Sequence, residues 1–509
     1  MKQRKFKCVL IGESSLIIPC GNLVLDNEGE IAAVISPNKE VIKWCKEYDI
    51  AWTEQVTYEW LAQFGFDYLF SIVHYGILKD DILSLPKKLA INYHDALLPA
   101  YAGIHATSWA IMQGERRHGI TWHVMENQVD AGDILVQKRV AIQLDETVKS
   151  LNLKCFQAAI EGFKEVMAEI VSNCIILKKQ DLHKRSYYGK WDKYDHAGLI
   201  NWNQKESQII RFVNSLRFDN YDNTLITSKV IIGQRFYIVE KVEKYESSCQ
   251  QEAGIARFIP GGLVIGTSTR PLLIAELRNL SGDVVDWEEF DQLPGQFSVV
   301  PKEEIAQEAQ KVVGLLSRHE EYWVKKLNCA FQLGTQKLLD IMETGSKENE
   351  QKALHKLEKT SDVSILEKLL LAIWQEVSNY SSIEEYFIGL GKKQTDSLKL
   401  SASIVPFRLR RADHVDASMA LHDLRQELKT VQEKDTFLKD VLYRYPALRD
   451  STFVPEIIVH DENLDSNWEE NDRTVLFVAD SQKGKVQAFT KNASFRMFAD
   501  EIIRKVIEW

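Results

Sequence analysis

The sequence predicts an α/β chain in three parts: a parallel-sheet domain, a small β-barrel domain and a further α/β segment. Residues 1 to about 175 alternate short apolar runs with helical patterns, the order that βαβ crossovers and a parallel sheet require. Between about 230 and 277 the runs become short and β-like, broken by Gly and Pro, as in a small barrel. The length, 509 residues, corresponds to about three domains at roughly 150 residues each.

In order, Lys7–Ile11, Ile31–Ser36, Tyr68–Val73 and Ala90–Asn92 read as strands, with helices over Glu40–Glu47 and Tyr58–Phe64 between them. A helix follows from about Ile104, and Ile134–Val140 reads as one more strand. Arg185–Gly198 is rich in aromatics and turn formers and predicts a linker laid on a surface. Ile209, Phe212, Val213 and Leu216 then fall on one face of an amphipathic helix. Beyond the β-like stretch, Glu303–Leu316 and the apolar Ile365–Val377 predict helices, and Glu343–Ser361 a charged, exposed segment.

Hydrophobic residues make up 45% and charged ones 27%, enough apolar material for several cores, which excludes a fibrous or wholly disordered chain. The net charge of −10 gives no global basic footprint, which disfavours nucleic acid and anionic membranes as partners. The seven cysteines are scattered, with no C-x-x-C pair, and read as reduced thiols of a cytoplasmic protein. No run approaches the ~18 apolar residues of a membrane-spanning helix, so no membrane association is expected.

In open parallel sheets ligands sit beyond the carboxyl ends of the strands, which directs attention to residues 91–111 and 118–135. Asn92 and His94 are two apart at a predicted strand end, so both point to one side. Asp130 and Asp133 bracket a Gly-containing turn. An amide donor, an imidazole and a carboxylate brought together suit acyl transfer to an amine: the amine must lose a proton while the carbonyl becomes an oxyanion. On spacing alone the same residues also read as a strand-end turn beside a satisfied histidine. No Ser or Cys nucleophile sits in an elbow here, which favours direct transfer over an acyl-enzyme. His105, His118 and His123 fit no standard metal spacing, and no metal is assigned. Neither a G-x-G-x-x-G nor a G-x-x-x-x-G-K-[ST] loop is present.

Residues 90–140 resemble the core of the folate-dependent formyltransferase family, whose signature is Asn-x-His, a Leu-Leu-Pro loop and an Asp in a Leu/Val-Asp-x-Gly turn. Here these are Asn92, His94, Leu97–Pro99 and Asp130. The gapless interval from His94 favours Asp130 over Asp133. The resemblance implies a Rossmann-like catalytic domain over 1–185 and 10-formyltetrahydrofolate as formyl donor, without a metal. It implies a pterin pocket formed largely by backbone groups of Ile72, Val73, Tyr75, Gly76, Ile77 and Leu78, and of Met125, Glu126, Gln128 and Val129. Asn92 and His94 would stabilise the oxyanion, and Asp130 would orient and charge His94 or help take the amine's proton.

Residues 199–230 (LINWNQKESQIIRFVNSLRFDNYDNTLITSKV) are similar to the start of the C-terminal domain of methionyl-tRNA formyltransferases, implying an OB-like barrel over 195–300. Those enzymes usually carry arginines after Leu-Leu-Pro; here Ala100 and Ala102 stand there, and Gly12–Gly21 holds no Lys or Arg. Both absences remove contacts to a phosphate backbone. The wording YAGIHATSWAIM, HGITWHVME and VDAGDIL instead resembles formyltransferase domains that open nonribosomal peptide synthetases, implying an aminoacyl carrier protein as acceptor. Residues 306–509 resemble parts of a condensation domain but lack its H-H-x-x-x-D-G motif, implying a non-catalytic docking fragment. Methionyl-tRNA and an amino sugar remain as acceptors, and a non-catalytic assembly protein as the alternative of another class.

Overall fold

The structure, a computed structural model, describes residues 5–246, 251–290, 292–333, 338, 363–380, 385–392, 397–410, 417–449, 455–461, 473–480 and 483–508. The charged segment expected over 343–361 lies outside them.

The chain opens as a Rossmann-like domain. It runs β1 (Phe6–Ile11), α1 (Ile17–Asp26), β2 (Gly29–Ile35), α2 (Lys39–Glu47), β3 (Ala51–Thr53), α3 (Tyr58–Leu61), β4 (Tyr68–Ile72), α4 (Asp80–Leu83) and β5 (Leu89–His94). It continues through β6 (Ala102–Gly103), α5 (Ala106–Gln113), β7 (Arg117–Val124), β8 (Ile134–Ala141) and α6 (Val148–Val171). The sheet order is β3-β2-β1-β4-β5-β7-β8. The first five strands are parallel, and β7 and β8 extend the sheet antiparallel. β1 (FKCVLI) and β4 (YLFSI) are apolar almost throughout because helices cover both faces of a parallel sheet. α6 starts where the Thr147 hydroxyl accepts from Ser150 N–H and the Ser150 hydroxyl answers Thr147 N–H. It lies against the β7 face, where Trp122 donates its indole N–H to the Ala159 carbonyl (3.1 Å).

The second domain is mostly sheet. After β9 (Tyr187–Tyr188) and α7 (Glu206–Ser215) come β10 (Lys229–Ile232) and β11 (Arg235–Ile238), a two-stranded hairpin. β12 (Glu243–Lys244), β13 (Ile255–Ile259), β14 (Gly262–Ile265), β15 (Leu272–Ile274) and β16 (Phe297–Ser298) form an antiparallel sheet ordered β12-β15-β14-β13-β16. Among the described residues that sheet has β12 and β16 as its edges, and isolated bridges join Ile238 of the hairpin to Arg278, beyond β15, and Arg278 to Val284.

The third part is α/β. α8 (Glu303–Leu316), α9 (Glu320–Leu333) and α10 (Ile365–Tyr380) precede a mixed sheet of β17 (Glu385–Gly391), β18 (Ile404–Arg410), β19 (Ile457–Asp461), β20 (Val475–Asp480) and β21 (Lys485–Phe489). Its order is β18-β17-β19-β20-β21. α11 (Ala417–Lys434), the short α12 (Val441–Arg444) and α13 (Pro446–Arg449), and the last helix α14 (Ala493–Glu508) complete it. One apolar core runs without a break from β1 through Leu225 and Phe236 to Trp323, Phe407 and Ile502.

Arg185–Gly198 does more than skirt a surface. Tyr194 and Ala197 are buried, and Tyr188 stacks between Tyr101 and Trp109. Aromatic rings bring enough apolar area to hold an irregular segment against the domain.

Candidate active site

Asn92 and His94 end β5 on the same face, at the carboxyl edge of the parallel strands. The Asp130 carboxylate enters from the β7–β8 connection, its side chain 8% exposed. The residue has φ 52°, in the left-handed region. Gly132 makes this turn possible: a Cβ there would meet the Val124 carbonyl oxygen at 2.0 Å.

A backbone carbonyl, as well as carboxylates, surrounds the His94 ring. Its Nε2–H donates to the Tyr101 carbonyl (2.8 Å), and Nδ1 faces Asp130 Oδ2 at 3.6 Å and Asp95 Oδ1 at 4.0 Å. The carbonyl therefore fixes the ring, and Nδ1 is the nitrogen turned toward the carboxylates. Asp133 contributes its carbonyl to Val124 N–H (2.8 Å).

His123 is the site residue that sequence reasoning passed over. It is 2% exposed, and its Nε2 lies 3.2 Å from Asn92 Nδ2 and 3.3 Å from Asp130 Oδ1. Its Nδ1–H donates to the Val124 carbonyl (2.8 Å). Neutral, Nε2 accepts from Asn92; protonated, it donates to Asp130. The β5–β7 register sets Asn92 opposite His123, and a register shift between Trp122 and His123 falls at the same point. Only the alternation of Thr121 and His123 against Trp122 signals this in the sequence, and it does not name the partner strand.

Asp130 thus stands between two imidazoles and also accepts from Gly103 N–H (2.8 Å). Burial pushes its carboxyl up, but His94, His123 and the Gly103 N–H together hold it well below the usual carboxylate range. It is charged at any physiological pH.

Beside these groups, β4 ends in a strained loop. Val73 has φ 54°, unusual for a β-branched residue. Glu13 steadies the loop: its N–H donates to the Val73 carbonyl (2.9 Å), its carboxylate lies 3.5 Å from His74 Nδ1, and Tyr75 N–H reaches it at 3.4 Å. Tyr75 and Ile77 are exposed by 69% and 82%, whereas Leu78 packs into the core near Met125. Met125 N–H donates to the Ala90 carbonyl (2.8 Å), bringing residues 125–129 alongside the loop. An apolar lip over exposed backbone suits a flat heteroaromatic ring that needs both stacking surface and main-chain hydrogen bonds.

From the second domain, Thr224 meets His105 at the start of α5 (2.6 Å). Burial pushes the Asp222 carboxyl up, and Glu13 adds to the rise against the pull of Arg449. Among the described residues no group of three His, Cys, Asp or Glu side chains could hold a metal ion. No helix among them is long and apolar enough to cross a membrane.

Residues 31–167 match the model of the formyl transferase family, and residues 194–293 that of the formyl transferase C-terminal domain. The chain is 33% identical over 158 residues to the bifunctional polymyxin resistance protein ArnA of Wigglesworthia glossinidia brevipalpis, covering 31% of this chain and 24% of that one. It is 29% identical over 225 residues to a methionyl-tRNA formyltransferase of Prochlorococcus marinus subsp. pastoris, covering 41% of this chain and 67% of that one. Among solved structures, an N-formyltransferase from Helicobacter canadensis in complex with folinic acid and dTDP-3-aminofucose aligns over 53% of this chain and 99% of its own, at 20% identity and a TM-score of 0.44. The chain thus spans about a quarter of the length of the first of these curated relatives.

Proposed function

We propose, from the premise that residues 31–167 and 194–293 are formyl transferase domains, that the protein moves a formyl group from 10-formyltetrahydrofolate to the free amine of an aminoacyl thioester. The observation that carries the chemistry is the convergence of Asn92, His94 and a charged Asp130 on one strand edge. When bound, 10-formyltetrahydrofolate supplies the formyl carbon and a nitrogen leaving group. Its pterin would lie against the backbone of Ile72, Val73, Tyr75, Gly76, Ile77 and Leu78 on one side and Met125, Glu126, Gln128 and Val129 on the other.

Asn92 has two amide hydrogens; one is engaged by His123, and the second donates to the formyl oxygen as it gains negative charge. A protonated His94 donates to the same oxygen through Nδ1, since Nε2–H is taken by Tyr101. Asp130 stays ionised, stabilises that imidazolium and relays the proton that the attacking amine sheds to His123. The leaving nitrogen takes a proton as its bond to the formyl carbon breaks, so the reaction is neutral in protons.

Asp95 stands beside His94, and Glu13 beside the Val73 loop with Asp222 near enough to feel its charge, a setting that favours an incoming ammonium and opposes phosphate. With Ala100 and Ala102 in the adjacent loop, this supports a carrier-bound amino acid over tRNA or a sugar nucleotide. The third part, similar in wording to a condensation domain, would serve as a docking surface for the carrier.

A mass-spectrometric assay offering an aminoacyl carrier protein, Met-tRNA and an amino-sugar nucleotide in turn, each with 10-formyltetrahydrofolate, tests this. Formylation of the carrier-bound amine alone is the expected result. Transfer to Met-tRNA or to the sugar, the acceptor types that the names of its relatives favour, would overturn the acceptor and keep the chemistry. Silence on all three, with folate bound, would favour a non-catalytic assembly role.

A further inference from the structure

We propose that the connecting segment Gln180–Tyr188, which lies between the two matched domains, is a positioning clamp for the catalytic histidine and carboxylate; this rests on the formyl-transfer function above. The segment grips both structures that hold the reacting groups. On one side, β9 pairs parallel with β6. The Ser186 hydroxyl accepts from Tyr101 N–H (2.7 Å), the Ser186 carbonyl from Ala102 N–H (2.9 Å) and the Tyr188 carbonyl from Ile104 N–H (2.9 Å). The 101–102 peptide so fixed carries the Tyr101 C=O that holds His94, and the peptide after it, flanked by fixed ones, carries the Gly103 N–H that holds Asp130.

On the other side, Gln180 Nε2 donates to the carbonyls of Asp130 (2.9 Å) and Gly132 (2.7 Å), and Arg185 Nη2 donates to that of Val129 (2.8 Å). The turn carrying Asp130 is therefore anchored by the same nine-residue segment that anchors the loop facing it.

Shape supports the grip. Gly103 has φ 99°, and a Cβ there would lie 2.0 Å from the Tyr188 carbonyl oxygen, so the two strands approach as closely as they do only because residue 103 has no side chain. Tyr188 stacks on Trp109 (centroids 4.5 Å apart, 15° between planes) and on Tyr101 (5.9 Å, 14°). Tyr101, at φ 58°, is thus held by its ring, its N–H and the strand after it, in a conformation that costs energy if left unsupported. A displacement of ~1 Å at a reacting group costs on the order of 100-fold in rate, and a shift of that size at Tyr101 would break its 2.8 Å bond to His94.

Two full-length variants test this. Ser186→Ala removes one acceptor of the clamp, and Gln180→Met removes two donors. Each is expected to lower kcat by ~10- to 100-fold with the KM for 10-formyltetrahydrofolate within ~2-fold and a melting temperature close to that of the parent. Ser186→Thr, which keeps the hydroxyl, is expected to restore most of the rate. Unchanged kcat in both variants would overturn the clamp. So would a loss of rate that follows a loss of melting temperature or that Thr fails to rescue.

A second readout needs no turnover. In 15N-histidine-labelled protein, at a pH high enough for the imidazoles to be neutral, His94 is expected as the Nε2–H form in the parent and as a mixture with the Nδ1–H form in Ser186→Ala; an identical spectrum would overturn the clamp. A parent silent toward every acceptor would instead sink the function, leaving this spectrum to decide the clamp alone.

Discussion

Asp130 occupies a left-handed backbone position that aspartate and asparagine tolerate better than most residues. Asp130→Asn therefore keeps the turn and its shape while removing the charge that faces His94 and His123. Turnover is expected to fall by ~10²- to 10⁴-fold, with circular dichroism and folate binding near those of the parent; a variant retaining near-parental rates would move the proton acceptor elsewhere, to Asp95 first. The two oxygens face different partners, Oδ2 toward His94 and Gly103 and Oδ1 toward His123. Of these, His94 was legible from the sequence because a two-residue spacing on a strand fixes a common side. His123 was not: its place beside Asn92 depends on which strand β7 pairs with, and in which register.

The N-terminus of α5 shows a different use of histidine. His105 caps the helix at φ 58°, its Nε2 lies 2.6 Å from the Thr224 hydroxyl and its ring stands edge-on to Phe218 (5.8 Å). It therefore joins the catalytic domain to the second one. Burial pushes its pKa down to about 3, and the neighbouring Lys193 adds to the shift. An unfolded histidine titrates near ~6.5, so between these values the unfolded chain binds the extra proton and stability rises with pH. Acidification from pH 6.5 to 5 is expected to cost about 2 kcal/mol through this group, read as a lower urea midpoint, and His105→Gln is expected to remove that share of the slope. Asp130 adds nothing in this window: its depressed pKa confers stability that is complete above ~4 and is lost only as pH falls further. A slope identical in parent and variant would assign the acid sensitivity to other histidines. The helices and parallel strands around α5 were legible, since apolar runs such as FKCVLI and YLFSI can be buried only inside a covered sheet. The cap itself was not, nor was the use of Arg185–Gly198 as packing material, because both depend on partners remote in sequence.

The second and third parts are joined by charge. Arg444, fully buried, donates through Nη1 and Nη2 to the two oxygens of Glu320, through Nε to Asp440 Oδ1 (3.0 Å) and through Nη1 to the Asn223 carbonyl (2.7 Å). Lys229 of β10 lies 2.8 Å from Asp440 Oδ2. Burial pushes the Asp440 carboxyl up, but Lys229 and Arg444 hold it well below the ordinary range. Two anions and two cations so placed compensate one another, and removing a single member strands its partners in a medium that solvates charge poorly. Arg444→Met is expected to cost ~3–5 kcal/mol in urea unfolding. Because Asn223 adjoins Asp222, which feels the charge of Glu13, the same change is expected to raise the acceptor KM more than the folate KM. Replacing all four, with Glu320→Leu, Asp440→Leu and Lys229→Met added, is expected to return much of the stability, since apolar side chains of similar volume often match a buried ion cluster. If Arg444→Met left both the unfolding midpoint and the acceptor KM unchanged, the third part would be an independent appendage, and its contact with the second domain would have no bearing on how the acceptor is received.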